Sequence, residues 1–206
     1  AFCPRPQTDL QRSRLELPTH LTITINDHRS WVANAFEAWL DVNENNAIGE
    51  KHKKNYDATI LLTYADGHRC EDQARVRLHG DWRDHLRPGH DGIETSLDVR
   101  LATGHLGGIV DFKLFLPETR YGDNEVFATT LVEELGLLSP RTFYIDTTVN
   151  GVEVRYLLQE KFRKELLEHR RIPESPIFQG DERFGLSWTK HKDSEDVQAN
   201  GSLFWM

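Results

Sequence analysis

The chain has 206 residues, 38% hydrophobic side chains and a formal net charge of −8 at pH 7. An ordinary apolar content together with five tryptophans excludes wholesale disorder and indicates a globular protein. The acidic balance disfavours general binding to nucleic acid, which needs a basic surface to contact phosphate. No apolar run reaches the about 18 residues of a transmembrane helix.

The N-terminal part of the chain predicts a tail, a strand and a helix. Residues 1–19 are polar with several prolines, which indicates an extended tail. Alternation of leucine and isoleucine with threonine predicts a strand over 20–26. Helical spacing of apolar residues predicts a helix over 30–40, and its buried face is expected to include Phe36 and Trp39.

The rest of the chain predicts strands interrupted by a helix. Turn signals at Asp66-Gly67 and Asn150-Gly151 predict two hairpins. Asp123 is a good N-cap for a helix that ends at Gly136. A short charged helix is predicted over 161–170. The six strands predicted after the first helix cover 58–64, 74–79, 96–102, 109–116, 141–149 and 152–159.

The order of these elements indicates an α+β fold with a mostly antiparallel sheet and one packed helix. From residue 74 the order matches that of a protein-kinase small lobe, preceded by an N-terminal strand-helix unit. We therefore expect a tail over 1–19, a small-lobe-like domain over 20–172, and a polar segment over 173–206 that begins a further lobe.

Lys113 is the candidate phosphate-binding residue of such a lobe. A kinase small lobe uses a strand lysine to pair with nucleotide phosphates and a helix glutamate to hold that lysine. Lys113 lies on the strand before the helix, and Glu125 on the helix is the preferred partner, with Glu133 and Glu134 as alternatives. The same spacing also fits solvent-exposed faces of both elements.

A series of motifs in this order resembles the spore-coat CotH kinase family, over roughly residues 20–180. The resemblance implies an atypical protein kinase that binds ATP with Mg²⁺ or Mn²⁺ and phosphorylates proteins, often in a secreted or envelope location. The motifs are Arg75-Val-Arg-Leu-His-Gly80, Leu135-Gly136, Ser139-Pro140-Arg141-Thr142, Asn150-Gly151 and Tyr156-Leu-Leu-Gln-Glu160.

The resemblance also implies roles for individual residues. Gly80 would lie in the turn that covers the phosphates, and Arg83 in the following loop would contact them. Glu160 would lie at the hinge beside the adenine. This arrangement requires Lys113 and Glu160 to share one cleft.

The residues after Arg171 contain no Asp-x-x-x-x-Asn loop and no Asp-Phe-Gly segment. The aspartates and the asparagine of these two motifs would be needed for phosphotransfer. The sequence therefore predicts the nucleotide-binding N-terminal part of a larger enzyme, or a shortened relative without catalysis. A first residue other than methionine also indicates a mature form or a fragment. The alternative is a non-catalytic interaction domain for a cell-envelope or polysaccharide surface.

Two smaller features leave alternatives open. The loop from His79 to Asp91 contains histidines and carboxylates that could bind a divalent ion, but their spacing matches no metal signature and a polar solvent-exposed loop explains them too. Cys3 and Cys70 are the only cysteines, and either one disulfide or two free thiols fits.

Overall fold

The computed structural model describes residues 17–45, 47–89 and 92–178. Its contacts divide the chain into two units, Ala1–Glu174 and Ser175–Met206. All the helices and strands named below belong to the first unit. Within the described ranges, no helix has the length and apolar character needed to cross a membrane.

Seven of the nine strands close into a barrel in the order β1-β2-β3-β6-β7-β9-β8. All neighbours are antiparallel except β8 and β1, which run parallel. Strands β4 and β5 form a separate small ribbon. The strands are β1 (His20–Ile25), β2 (Tyr56–Thr63), β3 (Arg69–Leu78), β4 (Leu86–Pro88), β5 (Ile93–Thr95), β6 (Leu97–Leu101), β7 (Asp111–Phe115), β8 (Thr142–Val149) and β9 (Val152–Glu160).

Three α-helices and several short helical turns accompany the barrel. The turn over Pro117–Arg120 follows β7, and the turn over Arg83–His85 precedes β4. Both turns border the site described below. The helices are α1 (His28–Asn45), α2 (Asp123–Glu134) and α3 (Lys164–His169).

The closed barrel shows that the predicted kinase-type sheet with a packed helix is wrong. The predicted sheet is wrong because β1 belongs to it and not to a separate N-terminal unit. In the structure Ile23 lies opposite Ile60 on β2 and opposite Val149 on β8, so β1 joins two distant strands. Helix α2 contains no buried residue and is not a core element. Alternation marks a strand but does not reveal its partners.

The barrel interior is filled by alternate residues of its strands, since successive side chains point to opposite faces. Tyr156 is buried among them, and its hydroxyl donates to the Thr95 carbonyl over 2.9 Å. The fully enclosed hydrophobic side chains of the interior include Leu21, Ile23, Ala58, Ile60, Leu62, Val76, Leu97, Val99, Phe112, Leu114 and Leu158.

Helix α1 packs against the barrel through a face that only partly matches the predicted one. Trp31 is buried and meets the Tyr56 ring edge-on at 5.2 Å between centroids, and Ala38 is fully enclosed. Phe36 is 49% exposed, so the predicted buried aromatic stripe is wrong at that position. Trp39 is only partly buried, and this leaves an indole available at the surface.

The hairpin predictions are confirmed. Asn150 and Gly151 connect β8 to β9 with φ angles of 50° and 92°, the left-handed pair that a two-residue turn requires. The Asp66-Gly67 turn connects β2 to β3. Cys70, buried on β3, is disulfide-bonded. The only other cysteine, Cys3, lies outside the described residues.

Candidate functional site

Lys113 lies on the outer face of β7, opposite to the barrel core. It is paired in register with Asp98 on β6 and with Gln159 on β9. Directly paired residues project to the same face of a sheet, so these side chains form one polar row. Arg77 on β3 is the other register partner of Asp98, and it extends the row.

Asp98 does not serve as the counter-ion of Lys113. Its two oxygens accept from Arg77 Nη2 at 2.9 Å and from Lys161 Nζ at 2.7 Å. Lys161 also pairs with Asp111 at 2.9 Å. Lys113 therefore makes no ion pair with any carboxylate in the part of the chain that the structure describes.

Arg120 is the second cation at this site. Its guanidinium lies 4.5 Å from the centroid of the Phe115 ring, and the Lys113 ammonium lies 5.7 Å from the same centroid. Arg120 Nε is buried without a hydrogen-bond partner, and Arg120 forms no ion pair among the described side chains. We call Lys113 and Arg120, whose charges both lie near the Phe115 ring, the cation cluster.

The surroundings of Lys113 disfavour its charged form, although Asp98 and Asp81 act in the opposite direction. Burial, and then the positive charges of Arg120 and Lys161, lower the pKa of Lys113 below its ordinary value. Each of these effects penalises the charged ammonium. A bound anion would act in the opposite direction and stabilise both cations.

Two neutral imidazoles complete the surroundings of the cluster. The ring centroids of His79 and His85 lie 5.2 Å and 6.0 Å from that of Phe115. Burial lowers the pKa of His79 to about 2 and that of His85 to about 4. His85 Nδ1 is 3.0 Å from Ser96 Oγ, which accepts from the Leu116 amide. Neutral rings can therefore sit beside the cations without adding charge.

The neutral state of His79 predicts a measurable loss of stability in acid. The unfolded chain takes up a proton below pH 6.5, whereas folded His79 does not, so stability is full above that pH and falls as the pH decreases. This residue alone is expected to cost about 2 kcal/mol between pH 7 and pH 5. His79→Phe should remove that part of the loss in urea unfolding measured at both pH values. The exposed His68→Phe is the control, and equal pH dependence in the two variants would contradict the assignment.

Glu125 and Lys113 form no ion pair, and each is instead a neighbour of Gln159. Glu125 Oε1 accepts from Gln159 Nε2 at 2.6 Å, and Gln159 is the register partner of Lys113. Glu125 therefore binds the side-chain amide of Gln159 instead of forming the predicted ion pair with Lys113. Gly80 lies beside His85 with a φ of 106°, at the edge of the cluster. Arg83 lines a groove beside α1.

Glu160 lies on the other face of the sheet from Lys113. Its register partner is the inward-facing Phe112, and its side chain is 2% exposed. Arg141 binds both of its oxygens, with Nε and Nη2 at 2.8 Å and 2.9 Å, and Nη1 donates to the Gly107 carbonyl. The structure therefore does not place Lys113 and Glu160 in one cleft, and it gives Glu160 a structural partner.

Arg120 is the site residue that sequence reasoning missed. Arg120 lies in a short helical turn, which has no periodic sequence pattern. It reaches the site only because this turn folds back over the Phe115 ring. No group of three or more potential metal ligands occurs among the residues that the structure covers. His90 and Asp91 of the loop considered for a metal are outside the described ranges.

Similarity to known proteins adds no functional information to this geometry. No family model matches the chain, and no curated protein has significant sequence similarity to it.

Proposed function

We propose that this protein binds the phosphate groups of a nucleotide at the cation cluster. The observation that carries the proposal is that Lys113 and Arg120 are both partly buried and form no ion pair with a carboxylate of the described residues, in a chain whose net charge is −8. Charges removed from water are costly unless they are paired. An anionic ligand would supply the missing partner for both side chains.

Phosphate fits this donor set better than a single carboxylate does. The planar guanidinium of Arg120 can bind two oxygens at once, while the Lys113 ammonium acts as a point charge on a third. The neutral imidazoles of His79 and His85 each carry one N–H donor. A polyphosphate offers several oxygens and more than one negative charge, so it can engage both cations together.

The wider form of this proposal is an ATP-binding part of an atypical protein kinase resembling the CotH family. Lys113 would bind phosphate, Gly80 would keep the adjoining turn open, and Mg²⁺ or Mn²⁺ would arrive with the nucleotide. Only the series of motifs supports this form, since the barrel is not a kinase small lobe, and a protein would be the phosphate acceptor. Glu160 has no part in it, because its carboxylate is engaged by Arg141.

Lys113→Met is expected to weaken binding of ATP·Mg²⁺ and of inorganic tripolyphosphate by roughly 10- to 100-fold, since a charge-assisted contact is lost. Arg120→Met should have an effect of similar size. Isothermal titration calorimetry at low ionic strength measures both, and added salt should weaken the wild-type interaction.

Arg155→Met is the matched control for these variants. Arg155 is also a surface cation on a barrel strand, and it lies 5.0 Å from the Tyr144 ring centroid. It should leave the affinity for tripolyphosphate unchanged. Equal losses in all three variants would indicate nonspecific attraction, and full binding by Lys113→Met would refute the proposed site. ATP binding no tighter than tripolyphosphate would argue against a nucleotide ligand.

A further inference from the structure

An open groove of about 590 Å³ lies between helix α1 and the segment 82–88. This volume is within the about 300–1,000 Å³ that is usual for small-ligand sites. The groove is separate from the cation cluster in composition, because none of its lining residues is Lys113, Phe115 or Arg120. It is lined chiefly by Trp39, Trp82, Arg83, Asp84, Leu86 and Arg87.

The two indoles are held on ordered backbone. Trp82 forms an isolated β-bridge with Ala47, and the Ile48 amide donates to the carbonyl of Asp81, the residue before Trp82, over 2.9 Å. The Trp82 side chain nevertheless remains 44% exposed. Trp39 packs partly against the core from α1. The groove therefore presents two large aromatic side chains whose positions do not need a ligand to order them.

The charged residues of the groove nearly cancel. Arg87 forms ion pairs with Glu94 at 2.6 Å and with Glu118 at 2.9 Å. Arg83 and Asp84 are exposed, opposite in charge and without an ion pair among the residues described. The groove thus offers both hydrogen-bond donors and a carboxylate acceptor, and it has no excess of positive charge that would select an anionic ligand.

We propose that this groove binds a neutral oligosaccharide. The C–H face of a pyranose ring is flat and apolar and stacks on an indole, while its hydroxyl groups both donate and accept hydrogen bonds. Asp84 would accept from a hydroxyl, and Arg83 would donate to one. This binding activity is independent of phosphate binding at the cation cluster.

A proline-rich peptide is the main competitor, since such segments also bind in grooves lined with aromatic side chains. Proline has no backbone N–H, so a polyproline segment would leave the Asp84 carboxylate without a donor. A sugar satisfies the aromatic and the polar groups of the groove together. The observed residues therefore favour the sugar.

The test uses cellohexaose and N-acetylchitohexaose as probes, with binding measured by calorimetry. At least one of them is expected to bind, and Trp82→Ala should weaken that binding by at least 10-fold. Asp84→Asn should weaken it several-fold while leaving the fold intact, because Asp84 is exposed and unpaired within the described ranges.

Two controls isolate the groove. Phe127→Ala removes a more accessible aromatic side chain, 69% exposed on α2, and should leave sugar binding unchanged. Lys113→Met should also leave it unchanged, and Trp82→Ala should not alter tripolyphosphate binding. Failure of one proposal is thus distinguishable from failure of the other. The sugar assignment is overturned if neither probe binds at millimolar concentration, if binding survives Trp82→Ala, or if a proline decapeptide binds instead.

Discussion

Glu160→Ala is expected to lower the free energy of unfolding by about 3–5 kcal/mol, the usual cost of removing one partner from a buried ion pair. Arg141 would keep only its bond to the Gly107 carbonyl, and its charge would stay largely buried, since its side chain is 14% exposed. Urea unfolding at pH 7 measures the change. The folded variant should bind ATP·Mg²⁺ as tightly as the wild type.

Two further variants separate the ion pair from other effects. Glu153→Ala removes an exposed carboxylate from the same strand and should change stability by less than about 0.5 kcal/mol. Replacing Arg141 with Met and Glu160 with Leu together should recover much of the loss, because no unpaired charge remains. If Glu160→Ala instead kept its stability and lost ATP affinity, Glu160 would contact the nucleotide as the sequence resemblance implied.

Gly80→Ala is expected to cost roughly 2–4 kcal/mol and to weaken tripolyphosphate binding. A β-carbon at this position would overlap the His85 ring, and the φ of 106° is unfavourable for any other residue. Relief of the overlap would displace His85 from Phe115 and so disturb the surroundings of the cation cluster.

Gly151→Ala is the matched control for backbone strain. Gly151 has a φ of 92° but has no atom within 4 Å of the added carbon. It should cost only about 1–2 kcal/mol and leave binding unchanged. Equal costs for the two substitutions, in thermal or urea unfolding, would show that His85 gives way freely and that Gly80 does not shape the site.

Much of the local structure of this protein is predictable from sequence because it depends on neighbours along the chain. The alternation of the barrel strands, the Asn150-Gly151 turn and the presence of the helix over Asp123–Glu134 are confirmed, but its N-cap is Gly122 and not the predicted Asp123. Lys113 lies on a strand, as predicted.

The candidate site was only partly predictable, because its members come from separate elements. Lys113 and Gly80 are predictable from the sequence, but Arg120 is not, because its position depends on how one turn folds back over Phe115. The sequence also does not show that Arg141 engages the carboxylate of Glu160, the residue predicted to bind the ligand. Conversely, Phe36 is exposed and not buried as predicted, because of the tertiary packing of α1.

The sequence by itself determined where the barrel strands, the two hairpin turns and the α-helices lie, but not the short strands β4 and β5, since hydrophobic periodicity and glycine-containing turns act over a few residues. Only the tertiary structure decided that β1 bridges β2 and β8 to close a barrel, that Lys113 and Glu160 face opposite ways, and that two cations meet over one aromatic ring. Strand pairing and charge pairing join residues far apart in the chain, and periodicity contains no information about such partners.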